Sequence, residues 1–399
     1  MTIRIRFSAS SRTTQIFIWG IVIASDKLEE KCFIFAGGGT GGHLYPAIAV
    51  AEQIKILEPK SRILFLCSSR NIDEYILSQT GFEFQALDAK TFPSRPGQVI
   101  DFFKSFRNCY KIAVHEFSKS KKTVVIGSGG FVSGPVCLAA HKKKVPLTLL
   151  NVDIVPGKAN KIIARWAKEI FVQFEDTAAY FKKSKAKISA LGCPLRNDFL
   201  NLQPERAIEQ LNLDPDKKIL LITGASSGSQ SINDVICSLL DKLNTFANEW
   251  QIVHLSGRNN FEQVSSLYEK AKISHKVLDY YNQMSDLLTA ADLVIGRSGA
   301  VSVAEFAVAS VPCICIPYPH HKDKQQYLNA GKLVEAGSAV IVDDLPDKQD
   351  FSEWLWEELE DLMSDSEKRK QMAKSAQIIA KPNASTEIAK KLIQIADIP

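Results

Sequence analysis

The sequence predicts an α/β protein made of two similar domains, each a parallel sheet flanked by helices. Three observations carry this. The chain has 399 residues, which suits two domains. Apolar runs of strand length alternate with stretches of helical periodicity, the pattern of strands joined by crossover helices. The pattern restarts near Lys217, and each half opens with an apolar strand that runs into a glycine-rich turn.

The first of these turns organises the chain. Residues 32–36 form an apolar strand, and five of the next seven residues, 37–43, are glycine. Pro46, Ala47, Ile48, Val50, Ala51 and Ile54 then recur at helical spacing. Glycines let the backbone approach a ligand closely, and the helix N-terminus offers unpaired N–H groups to an anion. A tight βα turn without a ligand is the plainer reading. His43 adds a titratable ring at the helix start.

Strands are expected at 63–67, 124–126, 147–150, 170–172 and 188–190, with helices over 71–79, 97–118, from about 135, and over 156–167. Residues 82–95 read as irregular, with Pro93 and Pro96 as breakers. In the second half, strands are expected at 219–223, 250–255, 293–295, 313–316 and 339–342, with helices over 232–243, 353–379 and 384–396. The boundary falls within 192–216. It divides 32–195 from 196–380, and 381–399 supply a closing helix expected to pack back on the first domain. Two such domains place ligands at the carboxyl ends of their strands, in the cleft between them.

Hydrophobic content of 45% and charged content of 23% are those of a globular protein with a sizeable core. A net charge of +5 is too small to argue for nucleic acid. The eight cysteines are scattered and form no CxxC pair, which suits a reducing compartment without structural zinc or disulfides. Residues 1–31 carry Arg4, Arg6 and Arg12 ahead of a short apolar stretch, 15–24. They read as a targeting segment, an added strand or anchor, or sequence outside the fold, and a loosely docked extension is favoured.

The second half holds the densest group of polar candidates: Arg297, Ser298, Gly299, Ala300, Val301 and Ser302, then Glu305, then Gln325, Gln326 and Asn329. Residues 298–300 should open a helix whose N–H groups can hold a phosphate. Glu305 falls one turn inside that helix, where a carboxylate can accept hydrogen bonds from ribose hydroxyls. A dipole partner or a surface acid is the plainer alternative. Asp214-Pro-Asp216 resembles a metal-binding acid pair but sits where a turn is expected, and His320-His321 reads as loop.

Together, residues 38–43 with Pro46, 129–135, and Arg297-Ser-Gly-Ala with Glu305 resemble the MurG family of UDP-N-acetylglucosamine transferases. Pro156-Gly157 with Asn160, residues 192–196, residues 224–233, and Gln325-Gln326 with Asn329 extend the resemblance, in order, over about 32–345. It implies the GT-B architecture, two Rossmann-like domains with the acceptor on the first and the UDP-sugar mostly on the second. It implies transfer of N-acetylglucosamine to the muramyl 4-hydroxyl of lipid I, giving lipid II, by a peripheral enzyme on the cytoplasmic face of the cell membrane. Among the residues, Glu305 would bind ribose, Gln325 and Gln326 would contact the donor sugar, and Ser226 with Ala300, Val301 and Ser302 would hold the diphosphate. Arg196 and Arg297 would lie near the donor, and the loop around Tyr281 would frame uracil. Thr40, Gly41, Gly42, His43 and Asn160 would meet the substrates at the reaction centre.

An α-linked donor and a β1,4 product mean inversion, a single displacement that needs a base for the acceptor and stabilisation for departing UDP. His43 is the expected base and Asp153 its rival, with helix N-termini and arginine in place of a metal; no cofactor is expected. Some positions depart from the family pattern. Its usual His-Glu-Gln-Asn run reads Leu150-Asn151-Val152-Asp153, Phe131 stands where tyrosine is usual, and Ser227 where glutamine is. A related glycolipid glycosyltransferase, a UDP-sugar epimerase, or a UDP-sugar-binding protein without catalysis are the alternatives. Finally, Ile100, Phe103, Phe106 and Tyr110 recur at helical spacing amid seven Lys or Arg between 95 and 122. That pattern suits an anionic membrane surface, with Phe131 also on the acceptor side; the alternative is that the aromatics face the core.

Overall fold

The computed structural model describes residues 30–93, 95–225 and 228–398. The expectations for residues 1–29, within the N-terminal extension, and for Ser226 and Ser227 lie outside them. The first sheet contains β1 (Lys31–Gly37), β2 (Arg62–Ser68), β3 (Glu83–Leu87), β4 (Lys122–Gly129), β5 (Leu147–Asn151), β6 (Glu169–Val172) and β7 (Lys187–Ala190). The second contains β8 (Lys218–Thr223), β9 (Trp250–Leu255), β10 (Ser274–Leu278), β11 (Leu293–Gly296), β12 (Cys313–Cys315) and β13 (Ala339–Ile341). Their orders are β3-β2-β1-β4-β5-β6-β7 and β10-β9-β8-β11-β12-β13. All pairings are parallel, with Ile34 between Leu64 and Val125 in the first and Leu221 between Val253 and Val294 in the second.

Both sheets therefore reverse direction beside the strand that feeds a glycine turn, β1 in one and β8 in the other. The crevice at such a reversal, beyond the carboxyl ends of the strands, is where ligands bind in open α/β sheets. The central strands are buried from end to end, as two helical layers require. One apolar core runs from Phe33 and Leu44 through Cys193 and Phe199 to Leu221, Val303 and Phe306. The two units share this packing. The Ala384–Ala396 helix brings Ile388 and Leu392 into the same core, and Thr386 donates to Gln53 of the Gly41–Leu57 helix at 2.8 Å.

Three expectations are corrected. The stretch 82–95 contains β3, and β10 was not expected at all. Both are edge strands with half-exposed, polar sequences, so neither shows the apolar run of an interior strand. The helix expected over 353–379 is two, Lys348–Ser364 and Ser366–Ile379, because Asp365 caps the second by accepting from the Lys368 N–H.

Candidate active site

The carboxyl ends of both sheets enclose a cleft cavity of about 540 Å³. From the first unit, Thr40, Gly41, Gly42, His43 and Asp153 line it; Arg196 lines it from the connecting segment. From the second come Tyr281, Ala300, Val301, Ser302, Glu305, Gln325 and Gln326. Thirteen of the residues singled out in the sequence thus meet around one space.

The first glycine turn is held from below by Asp73, a buried residue that the sequence reading missed. Its carboxylate accepts from the Gly39 N–H at 2.8 Å, the Ser68 N–H at 3.0 Å and the Ser68 hydroxyl at 2.7 Å. Gly38 has φ +147°, and any Cβ there would overlap the Asp73 carboxylate. His43 stands on the first turn of the helix that follows, with Nδ1 3.3 Å from the Gly38 carbonyl oxygen. A carbonyl can only accept, so Nδ1 is the donor in this contact, and in the neutral ring Nε2 carries the lone pair. The bare backbone of Gly129 leaves room beside Nε2, since a Cβ there would lie 3.1 Å away.

Asp153 lies just beyond β5. Burial pushes its carboxyl above the ordinary aspartate range, while His43, the Asn329 amide and His321 oppose the rise. The backbone beneath it is fixed by a chain of amides. Asn160 donates to Asn151 at 2.9 Å, and Asn151 donates to the Asp153 carbonyl at 2.7 Å. Asn160, expected among the substrate-binding groups, is instead buried behind the cleft wall. Fully buried Asn329 accepts from the Ile154 N–H at 3.3 Å and donates to the Ser298 carbonyl at 3.4 Å, so one side chain joins the Asp153 turn to the second unit's helix-opening turn.

On the second unit the Ala300–Val308 helix points its N-terminus into the cleft, with Gly299 as an extended N-cap that supplies no side-chain cap. Its first N–H groups are thus available to an anion. Glu305 faces the cavity one turn further on. Burial pushes its carboxyl up to about 7, with Arg196 pulling it down. The neighbouring glycine turn is pinned by Gly228, φ +74°, whose missing Cβ avoids overlap with the Ser256 carbonyl. Beneath that turn, fully buried His254 bonds to Asn233 at 3.0 Å and to the Tyr268 hydroxyl at 2.9 Å. Burial lowers its pKa to about 3, so it stays neutral as a structural residue.

Two arginines expected near the donor differ. Arg196 faces the cleft, lying 5.8 Å from the Tyr45 ring and donating to the Asn282 carbonyl at 3.3 Å. Arg297 does not reach the cavity. Its guanidinium is spent on the Ile316 and Pro317 carbonyls, the Ser229 and Ser231 hydroxyls, and a 2.7 Å ion pair with Asp344, both partners being buried. It ties the turn after β8 to the loop after β13. Tyr281 lines the cavity, but its hydroxyl turns away to donate to Gln210 at 2.9 Å. Gln326 accepts from the Tyr318 N–H at 2.9 Å through Oε1. His321, read as loop, lines the cavity. Asp214 accepts from the Asp216 N–H at 3.0 Å, the local bond of a turn.

Outside the cleft, Ile100 and Phe103 are 66% and 64% exposed, and Phe92 and Phe131 are exposed as well. Phe106 is half-buried, packing at 5.9 Å from Phe102 and close to Gly134. The aromatics thus split between surface and interior, with half-buried Phe106 the one packed against Gly134. Among the described residues no helix is long and apolar enough to cross a membrane.

The chain matches the glycosyltransferase family 28 N-terminal domain over residues 33–172 and the family 28 C-terminal domain over 219–392. Its fold is similar to that of Acinetobacter baumannii MurG, with a TM-score of 0.72 at 24% identity over 91% of this chain and 99% of that one. It is also similar to UDP-GlcNAc 2-epimerase from Neisseria meningitidis, with a TM-score of 0.65 at 15% identity over 91% of this chain and all of that one, so the fold alone does not select a reaction. Sequence relatives are more selective. A Desulforamulus reducens protein is 33% identical, covering 90% of this chain and 96% of its own length. One from Halothermothrix orenii is 34% identical, covering 88% and 95%. Both carry the name UDP-N-acetylglucosamine--N-acetylmuramyl-(pentapeptide) pyrophosphoryl-undecaprenol N-acetylglucosamine transferase. The chain belongs to that transferase family, within glycosyltransferase family 28.

Proposed function

We propose that this protein transfers N-acetylglucosamine from UDP-N-acetylglucosamine to the muramyl 4-hydroxyl of lipid I, forming lipid II for peptidoglycan. The observation that supports this best is the opposition, across one cleft, of a helix N-terminus with a carboxylate on one side and a histidine on the other. The uncapped N–H groups at Ala300–Ser302 suit the diphosphate, and Glu305 suits the ribose hydroxyls. Gln325 and Gln326 suit the sugar.

In the reaction, the acceptor oxygen attacks the anomeric carbon from the face opposite UDP. As that C–O bond forms, the bond to the β-phosphate oxygen breaks and UDP leaves with its electron pair. The hydroxyl proton passes to His43 Nε2, whose lone pair is set free by the Nδ1–H donated to Gly38. Asp153 is the rival acceptor, since its raised carboxyl holds a proton more readily than an ordinary aspartate. Charge growing on UDP is met by the helix N-terminus, which fills the role of a metal. We assign residues 32–195 to the acceptor, 196–380 to the donor, and 381–399 to a closing helix on the first unit.

The exposed Ile100, Phe103 and Phe131, near exposed Lys104, Arg107 and Lys111, fit an anionic bilayer that presents the lipid-linked acceptor. We assign the protein to peripheral binding, on the cytoplasmic face. Incubation with UDP-N-acetylglucosamine alone tests the reaction class: a transferase leaves the donor sugar unchanged without acceptor, whereas inversion at the sugar C2 would identify an epimerase.

A further inference from the structure

A second cavity, of about 240 Å³, lies on the far side of the Ala300–Val308 helix from the reaction cleft. Val301, Ser302, Glu305 and Phe306 of that helix line the cleft, whereas Val303, Ala304, Ala307 and Val308 line the second cavity. Each set is spaced i, i+1, i+4, i+5, and the two are offset by two residues, so they occupy opposite faces of one helix. Leu333 and Ile379 extend the apolar wall. Exposed Glu175 and Lys381 also border the cavity, which therefore opens to solvent. The first unit contributes Gln173, just beyond β6. Its side chain is the polar exception in the wall: the residue is only 9% exposed, and its Oε1 has no hydrogen-bond partner among the described residues. A buried amide oxygen carries a desolvation penalty until something donates to it.

We propose that this cavity is a second ligand site, for a small molecule with a ring-sized apolar body and a hydrogen-bond donor directed at Gln173. The apolar wall takes the body, and the donor supplies what the amide oxygen lacks. No residue lines both this cavity and the reaction cleft, so the ligand is neither donor nor acceptor of the transfer. The shared helix gives its binding a consequence. A molecule packed against one face holds the helix whose other face presents Glu305 and whose N-terminus meets the diphosphate; this part rests on the donor reading given above. Occupancy of the cavity and donor binding are therefore coupled, by the same factor in either direction.

Phenol and toluene are the probes, because they share a shape and only phenol donates. Binding to the full chain is read by NMR titration, and UDP-N-acetylglucosamine affinity by calorimetry with and without saturating phenol. Phenol should bind about two- to tenfold more tightly than toluene, the range for one hydrogen bond. Gln173→Leu should bind the two alike. Ala307→Leu should fill the cavity and bind neither; a thermal melt checks that it is folded, and Ala304→Leu fills the same space if it is not. Phenol should change the donor affinity of the unmodified protein by at least about fivefold and leave that of the filled variant unchanged. Failure of both probes to bind would overturn the proposal and leave a hydrated packing gap. A phenol preference that survives Gln173→Leu, or phenol binding retained in the filled variants, would overturn it as well. Phenol binding with donor affinity unchanged defeats the coupling. If the unmodified protein binds no UDP-N-acetylglucosamine, the donor reading fails, and the two probes still decide the cavity.

Discussion

Replacing Glu305 with glutamine keeps the shape of the side chain and removes its charge, which separates two consequences of where it sits. In the free protein, burial raises the carboxyl from 4.5 to about 7. A raised value means that the folded chain favours the protonated acid. The associated stability is fully present below the unfolded value and is lost as pH rises through 7. That shift corresponds to about 3 kcal/mol at most, and water in the cleft reduces it. Glu305→Gln should therefore melt higher than the unmodified protein at about pH 8 and equally at about pH 4. Donor binding should move the other way. Ribose hydroxyls donate to the ionised acid, so the loss of that charge should cost about 1.5–3 kcal/mol, or about ten- to a hundredfold in affinity. Affinity of the unmodified protein should be full above pH 7 and fall by about tenfold per pH unit below it, a dependence absent from Glu305→Gln. UDP-N-acetylglucosamine is the suitable probe, because its diphosphate has no secondary ionisation in this range. Calorimetry across pH with both proteins reads the effect. Equal affinities, or the same pH dependence in both, would refute the ribose assignment.

Other outcomes follow from the same geometry. His43→Ala should lower kcat by at least about 10²-fold with little change in donor affinity, and Asp153→Asn should do less; the reverse ranking moves the base to Asp153. Ile100→Ser with Phe103→Ser should abolish co-sedimentation with anionic vesicles and leave the melting temperature unchanged, since both side chains are exposed. Aggregation or a lower melting temperature would place them in packing instead. Arg297→Met should destabilise the fold by about 3–5 kcal/mol, read by urea unfolding, because it removes the counter-charge of an Asp344 carboxylate whose side chain is only 9% exposed and leaves it the Ser231 hydroxyl. A stable variant that had only lost donor affinity would return Arg297 to the binding site.

What the sequence disclosed, and what it hid, follows from how far each signal reaches along the chain. The interior strands and both glycine turns were legible because burial and tight turning leave local marks: apolar runs and glycine. Glu305 and His43 were legible because each sits at a fixed offset from a helix start. Edge strands β3 and β10 were not, since half-exposed strands carry mixed sequences. Asp73 was missed for another reason. Its partner Gly39 lies 34 residues away in sequence, and a lone Asp carries no local sign of that. Arg297 shows the opposite error. It was expected near the donor, but the Asp344 that claims its guanidinium lies 47 residues away.

We propose transfer to a lipid-linked muramyl acceptor without a metal. It is tested most directly by incubating the protein with radiolabelled UDP-N-acetylglucosamine and a lipid I analogue in the presence of EDTA. Label should appear in a lipid product carrying a β1,4-linked disaccharide, at a rate that EDTA leaves unchanged. Donor binding with no label transferred, or transfer that EDTA abolishes and a divalent cation restores, would contradict it.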